Sequence, residues 1–540
     1  METAIVLSPL SQEIERRRTF AIVSHPDAGK TTITEKFLLY GGAVHLAGSV
    51  TARKNQRAST SDWLELERKR GISISSTVLQ FDYEGYKINL LDTPGHQDFS
   101  EDTYRVLTAV DAAIMVIDAG KGIEAQTLKL FEVCKHRGVP IFTFINKLDR
   151  PAREPFDLLD QIEKTLGIAT YPVNWPLGTG PVFRGVWDRQ TQTAHLFERT
   201  TGNAHRAPVR TMGLNDPFIR EQLDDQTFRT VCEEVETLEL AGTEFNAEDV
   251  LAGRTTPVYF GSALNNFGVQ LLLDGFLKHS CAPAPRTTVS GRVVPPSYPA
   301  FSGFVFKIQA NMDPNHRDRI AFFRVCSGQY TPGMKVKHRR TGKEIKIANA
   351  VVFMANERTR MEEAYAGDII GIHNHGQLQI GDALCEGTPV TFKGIPYFAP
   401  DLFSRARLRD PLKSKQLQKG LQELGEEGAI QVFTPMVETT LLLGAVGQLQ
   451  FEVVEHRLKS EYGVDAIFER SDIHTARWVT CNDVAHLAEF TRANTLRLGH
   501  DVDGNLVFLS PNSVSLGLAM EKWPKVQFHN TREHGQRMAG

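Results

Sequence analysis

Ser24-His25-Pro26-Asp27-Ala28-Gly29-Lys30-Thr31-Thr32 decides the reading of the fold. The run Thr19–Ser24 before it predicts a strand, and Thr31–Leu39 after it predicts a helix. Strand, Gly-Lys-Thr, helix is the context that a phosphate-binding loop requires. In such a loop the backbone N–H groups cradle phosphate at a helix N-terminus. Lys30 is placed to reach the β- and γ-phosphates, and the Thr31 hydroxyl to ligate Mg²⁺. Ser24 stands where the general pattern has glycine, and a small residue there keeps the turn feasible.

Working outward, Asp92-Thr93-Pro94-Gly95-His96 follows a predicted strand, Tyr86–Asp92. An aspartate at a strand end can hold Mg²⁺ through water, and Gly95 can offer its N–H to a γ-phosphate. Asn146-Lys147-Leu148-Asp149 closes another predicted strand, Val139–Asn146. The Asp149 carboxylate can accept from guanine N1–H and the 2-amino group, a donor pair that adenine lacks, so such a site discriminates between the two bases. Gly261-Ser262-Ala263-Leu264 follows a further strand, Val258–Ser262, and suits a loop packed on the base. Each motif sits at a strand C-terminus, where open α/β sheets bind ligands. Alternation of these runs with helical patterns predicts a mainly parallel sheet through the first ~280 residues.

The chain has 540 residues, 23 % charged and 41 % apolar, with a net charge of −3. That composition excludes a disordered or collagenous chain, and no apolar run nears the ~18 residues of a spanning helix. The slightly acidic balance confines any nucleic-acid contact to local patches. Residues 335–346 hold six Lys/Arg against one Glu, and 405–419 hold six against one Asp. Six scattered cysteines without a CxxC pair argue against a zinc site or a disulfide framework and favour a reducing compartment. The N-terminus reads as neither a signal nor a transit peptide, so a cytoplasmic location is expected.

Five prolines between 280 and 300 mark a linker. Residues 301–395 show short β-rich runs and predict a small β-barrel. The order β-α-β-β-α-β over 403–468, with Leu417, Leu421 and Leu424 on one helix and Phe451, Val454 and Leu458 on the other, predicts a ferredoxin-like split unit. The expected fold is thus α/β: a P-loop domain over 1–283, a β-barrel over 284–397 and an α+β domain over 398–540. No topology follows for 471–540.

The succession SHPDAGKT, RGISI, DTPGH, NKLD, GSAL resembles a translational GTPase, and within that group it resembles the bacterial peptide chain release factor 3 family. Ala58–Trp63, Arg70–Ile74, Asp92–Ser100 and Gly447–Gly463 support the likeness, which covers essentially the whole chain. The resemblance implies GTP and GDP as ligands and Mg²⁺ held by Thr31, Asp92 and Ser73, with serine where most of the superfamily has threonine. It implies that His96 orients the attacking water, drawn past an apolar gate at Pro26 and Ile72. The 112 residues between Asp149 and Ser262 exceed a minimal GTPase spacing and imply an insertion at about 155–250. The ribosome and the stop-codon-reading class I release factors are the implied partners, with the chain a monomer away from membranes. Arg53, Lys54 and Arg57 stand before the switch as candidate RNA-phosphate contacts.

Other readings compete. A translocase-like or ribosome-rescue GTPase shares the motifs, but a translocase carries further C-terminal domains for which 540 residues leave no room. An ATP-dependent P-loop enzyme conflicts with Asn146–Asp149. A binding protein with a dead site conflicts with intact Lys30, Thr31, Asp92 and His96. His373-Asn-His375 lacks a third metal ligand. Asp501-Val-Asp-Gly-Asn505 has its glycine misplaced for a calcium loop and reads as a hairpin turn.

Overall fold

A computed structural model describes residues 8–43, 67, 73–198, 209–241, 244–310, 319–354, 357–438, 440–534 and 538. Arg53, Lys54, Arg57, Ala58–Trp63 and Arg70–Ile72 lie outside the described residues. The chain divides into two compact units: Met1–His96, Val106–Ala284 and Val352–Thr359 form one, and Gln97–Arg105, Pro285–Val351 and Arg360–Gly540 form the other.

In the first unit, β1 (Arg17–Ser24) leads through the glycine-lysine loop into α1 (Lys30–Tyr40). There follow β2 (Thr77–Tyr83), β3 (Tyr86–Asp92), α2 (Ser100–Ala109, of which Ser100–Arg105 belong to the second unit), β4 (Ala112–Asp118), α3 (Ala125–Arg137) and β5 (Ile141–Asn146). Next come α4 (Pro155–Leu166), β6 (Ala169–Pro172), β7 (Thr255–Phe260) and α5 (Val269–His279). The sheet order is β2-β3-β1-β4-β5-β7-β6, with β2 antiparallel to β3 and the remaining pairs parallel. Parallel strands covered on both faces read as unbroken apolar runs, and β4 is buried along its whole length. Phe20, Phe142 and Phe276 seat α5 on the sheet, with ring centroids 4.4 and 4.8 Å apart.

Parallel pairing has a functional consequence. Ile22 stands opposite Asp92, Asp118 opposite Asn146, and Ile145 opposite Phe260. The loops after β1, β3, β4, β5 and β7 therefore leave the sheet at the same edge. Residues 155–172 do not stand apart from this sheet, since α4 leads into β6, which pairs with β7. A separate four-stranded antiparallel sheet begins at Asn174 and runs to Met212. Trp175 on its first strand donates to Glu234 Oε2 at 2.8 Å, which ties that sheet to the helix Asp225–Leu240.

Beyond the helical stretch Gln97–Arg105, the second unit opens with β-structure. No α-helix occurs among the described residues of 301–395. The eight-stranded sheet there is built on β8 (Ser302–Ala310) and β9 (Arg319–Ser327), which pair antiparallel. Then come β10 (Leu402–Leu408), α6 (Ser414–Glu426), β11 (Gln431–Pro435), β12 (Leu442–Ala445), α7 (Gln448–Tyr462) and β13 (Ala466–Arg470). Their sheet order, β13-β10-β12-β11, is antiparallel throughout, as a split β-α-β unit requires. Leu417, Leu421, Leu424, Phe451, Val454 and Leu458 share one core beneath it.

The sheet continues through β14 (Thr475–Thr480), β15 (Leu498–Asp501) and β16 (Leu506–Ser510), with β11 pairing to β15. Asp501 turns the β15–β16 hairpin by accepting from the N–H groups of Asp503 and Asn505 at 3.0 and 2.9 Å, and Gly504 takes φ +82°. The strand Thr531–Glu533 returns to pair with Pro396–Phe398.

Candidate functional site

The loop after β1 needs two left-handed residues, Asp27 at φ 66° and Gly29 at φ 103°. Aspartate tolerates that region, and glycine enters it freely. Space makes the glycine obligatory as well, because a Cβ on Gly29 would fall 2.2 Å from Asn146 Nδ2. Ser24 Oγ donates to the His25 carbonyl at 2.8 Å, the local bond that a glycine could not supply. Gly29 caps α1 without a side-chain hydrogen bond, so the first turn presents unsatisfied N–H groups. Thr31 and Thr32 lie half-buried in that turn. His25 Nε2 lies 3.2 Å from Glu124 Oε1, ahead of α3.

Lys30 is buried and contacts Asp92 Oδ1 at the end of β3. The other carboxylate oxygen, Asp92 Oδ2, is buried without a hydrogen-bond partner. An orphaned carboxylate oxygen is costly unless a cation meets it, so the donor set fits a hard divalent ion. Thr93 Oγ1 donates to the Ile22 carbonyl at 2.8 Å and anchors the turn to β1. Pro94 is buried, and a Cβ on Gly95 would sit 3.5 Å from Pro26 Cα, so this turn rides on the phosphate loop. His96 follows, half-buried. Ser73 is half-buried just before Ile74 and Ser75, whose N–H groups donate to the buried Glu67 carboxylate at 2.9 and 3.1 Å.

Asn146 ties the edge together. Its Nδ2 donates to the Ala28 carbonyl and its Oδ1 accepts from Ala263 N–H, both at 2.8 Å. Ser262 Oγ donates to Asp149 Oδ1 at 2.6 Å and accepts from Asn265 Nδ2 at 3.1 Å. Leu148 is buried, its N–H donating to Gly261 O at 3.2 Å, while Leu264 is half-buried. Residues 24–32, 92–95, 146–149 and 261–264 thus form one bonded rim. Lys147, at φ 71°, pairs with Asp118 Oδ2 at 2.7 Å. Burial raises the Asp118 pKa, but the Lys147 ammonium and the Gly120 N–H outweigh it and hold the carboxyl below its ordinary range. Asp118 and Glu124 escaped the sequence reading. Asp118-Ala-Gly120 ends a buried strand much as Asp92-Thr-Pro-Gly95 does, and that parallel was the available signal.

A glycine-lysine loop between strand and helix, a buried strand-end aspartate and the paired loops 146–149 and 261–264 on one sheet edge are the arrangement of a P-loop GTPase. The Elongation factor Tu GTP binding domain family matches residues 15–281, and the Elongation factor G domain 2 family matches 300–387. The class is therefore that of the translational GTPases. The Class II release factor RF3, C-terminal domain family matches residues 392–520. Peptide chain release factor 3 of Aromatoleum aromaticum (strain DSM 19018 / LMG 30748 / EbN1) is 59 % identical over 535 residues, covering 98 % of this chain and 97 % of that protein. The chain belongs to the peptide chain release factor 3 family, and it is a GTP-binding GTPase of translation termination. A crystal structure of a Thermus thermophilus protein is similar in fold, with a TM-score of 0.68 at 24 % identity, over 86 % of this chain and 69 % of that one.

Proposed function

We propose that this protein hydrolyses GTP on the ribosome after peptide release and promotes dissociation of the stop-codon-reading class I release factors. The observation that carries the reading is the Ala28–Asn146–Ala263 bridge, which holds the phosphate loop and the base loop at fixed spacing in a chain of this family. Lys30 and the N–H groups of the first turn of α1 bind the β- and γ-phosphates. Asp149 accepts from guanine N1–H and the 2-amino group, and Ser262, Ala263 and Leu264 close over the base. Thr31, Asp92 and Ser73 would hold Mg²⁺, which would supply charge neutralisation at the bound phosphates. His96 orients the attacking water, a positioning role that needs no large pKa change.

The proposed division of labour follows the expected domains, 1–283 for nucleotide, 284–397 and 398–540 for the ribosome and its factors. No helix among the described residues is long and apolar enough to cross a membrane. The protein acts in the cytoplasm as a monomer. The test follows a labelled class I release factor leaving post-termination ribosomes with GTP. Faster departure with this protein is expected, and His96→Ala should retain GTP binding while losing stimulated hydrolysis. Unchanged departure alongside stimulated GTPase activity would discard the termination role and leave a different translational GTPase. Competition by GTP but not ATP checks the base loop.

A further inference from the structure

The residues just after His96 make contacts that the nucleotide site does not use. Gln97–Arg105 pack as part of the second unit. Asp98 is buried, and its Oδ2 accepts from Leu449 N–H at 2.9 Å. Leu449 lies in the first turn of α7, whose cap residue, Gly447, has no side chain to offer. Asp98 therefore caps α7 from a remote part of the chain, closing an orphan N–H and placing negative charge at the positive end of a 15-residue helix. Gly447 is extended, at φ −146°, a conformation any residue adopts. Yet a Cβ there would fall 2.0 Å from Asp98 Cγ and 2.2 Å from both carboxylate oxygens. The glycine is explained by the seat of Asp98 and not by the backbone.

Neighbouring residues fasten the same segment. Glu101 Oε1 accepts from Gln431 Nε2 at 2.8 Å, and Lys307 Nζ lies 3.4 Å from Asp102 Oδ2. Arg105 reaches the Gly428 carbonyl at 3.4 and 3.5 Å, and a Cβ on Gly428 would fall 2.0 Å from Arg105 Nη1.

We propose that Asp98 is a positioning residue for GTP hydrolysis: seated on the start of α7, it fixes the segment that begins at His96, two residues upstream. The proposal rests on the role given to His96 above. Ribosome-stimulated GTP turnover is measured for Asp98→Ala, Asp98→Asn, Gly447→Ala and the double variant Asp98→Ala/Gly447→Ala, with His96→Ala alongside. Asp98→Ala should lower kcat about 10- to 100-fold, the scale of a small misplacement of a reacting group, with GTP affinity and KM unchanged. Asp98→Asn keeps an acceptor oxygen and should recover most of the rate. Gly447→Ala, which displaces Asp98 without removing it, should fall likewise and add nothing in the double variant.

Parental kcat in either Asp98→Ala or Gly447→Ala overturns the proposal, as do additive losses in the double variant. Gly447→Ala keeps the test open if Asp98→Ala fails to bind GTP and so fails to fold. Full stimulated turnover in His96→Ala overturns the role of His96 itself. Loss in His96→Ala beside full turnover in Asp98→Ala overturns the positioning role alone.

Discussion

Replacing Asn146 with alanine removes both halves of the bridge across the nucleotide edge. The side chain is 2 % exposed, and its two hydrogen bonds of 2.8 Å go to the Ala28 carbonyl and the Ala263 N–H. Truncation leaves both backbone groups without that partner, at about 1–3 kcal/mol each. The first unit should therefore lose about 2–6 kcal/mol. In the proposed function the two loops hold opposite ends of the nucleotide, so part of this loss should reappear as weaker binding. A share of about 2 kcal/mol corresponds to roughly a 30-fold rise in Kd for GDP. Asn146→Asp sharpens the argument, because it keeps the acceptor for Ala263 but turns an oxygen toward the Ala28 carbonyl. It should bind GDP no better than Asn146→Ala. The assay is titration calorimetry with GDP, paired with thermal melting without nucleotide. A Kd within about threefold of the parent, with a melting shift under about 1 °C, would refute the bridge as the element that spaces the loops.

Burial, opposed by Arg105, the Gln431 hydrogen bond and Arg532, pushes Glu101 up to about 7. A raised carboxyl contributes stability fully below the unfolded value, near 4.3, and loses it as pH rises to the folded value. The second unit should lose up to about 4 kcal/mol between those limits, and Glu101→Gln should flatten that slope in urea titrations at pH 5 to 8. Arg532 lies 2.8 Å from Asp501 Oδ2 and 2.6 Å from Asp503 Oδ2, with its guanidinium 4.3 Å from the Tyr397 ring centre. Arg532→Ala leaves the Asp501 carboxylate buried without its counter-charge, though still hydrogen-bonded by Trp478 and Asn505, at about 3 kcal/mol, and a loss below about 1 kcal/mol in denaturant unfolding would contradict that figure. Asp118 is shifted down, so its contribution is present above the unfolded carboxylate pKa and fades as pH falls through the lower folded value. Asp118→Asn should shed that acid-side dependence in melting experiments and weaken GDP binding at pH 7 by freeing Lys147.

The strand–loop–helix around Gly29 and the turns that follow Asp92 and Asn146 were legible because each is a local event. A strand must end, a turn of specified φ must follow, and a helix must begin, all within about a dozen residues. Gly29 illustrates the limit, since its place in the motif is local but the atom that forbids a side chain belongs to Asn146. Asp118 was passed over, because its strand-end position matched that of Asp92 but its partner, Lys147, is seen only once β4 and β5 are paired. Nor does sequence separate 155–172 from the residues that follow, since only pairing of β6 with β7 places that stretch in the main sheet.

The C-terminal region shows where local reading ends. Leu417, Leu421 and Leu424 mark a helix face by spacing alone, and the split β-α-β order follows from short connections. The pairing of β11 with β15, and of Thr531–Glu533 with Pro396–Phe398, joins segments far apart in the chain. Which edge a strand completes depends on the apolar surface and backbone groups left open after the nearer elements have packed. The order and local spacing of the motifs therefore pointed to nucleotide chemistry, because phosphate and guanine recognition require particular groups at fixed local separations, and the family followed from the resemblance those stretches carry. Only the tertiary structure decided that Asp98 caps a helix through Leu449, 351 residues further along the chain, because a buried carboxylate and an uncapped N–H find each other through packing and not through sequence distance.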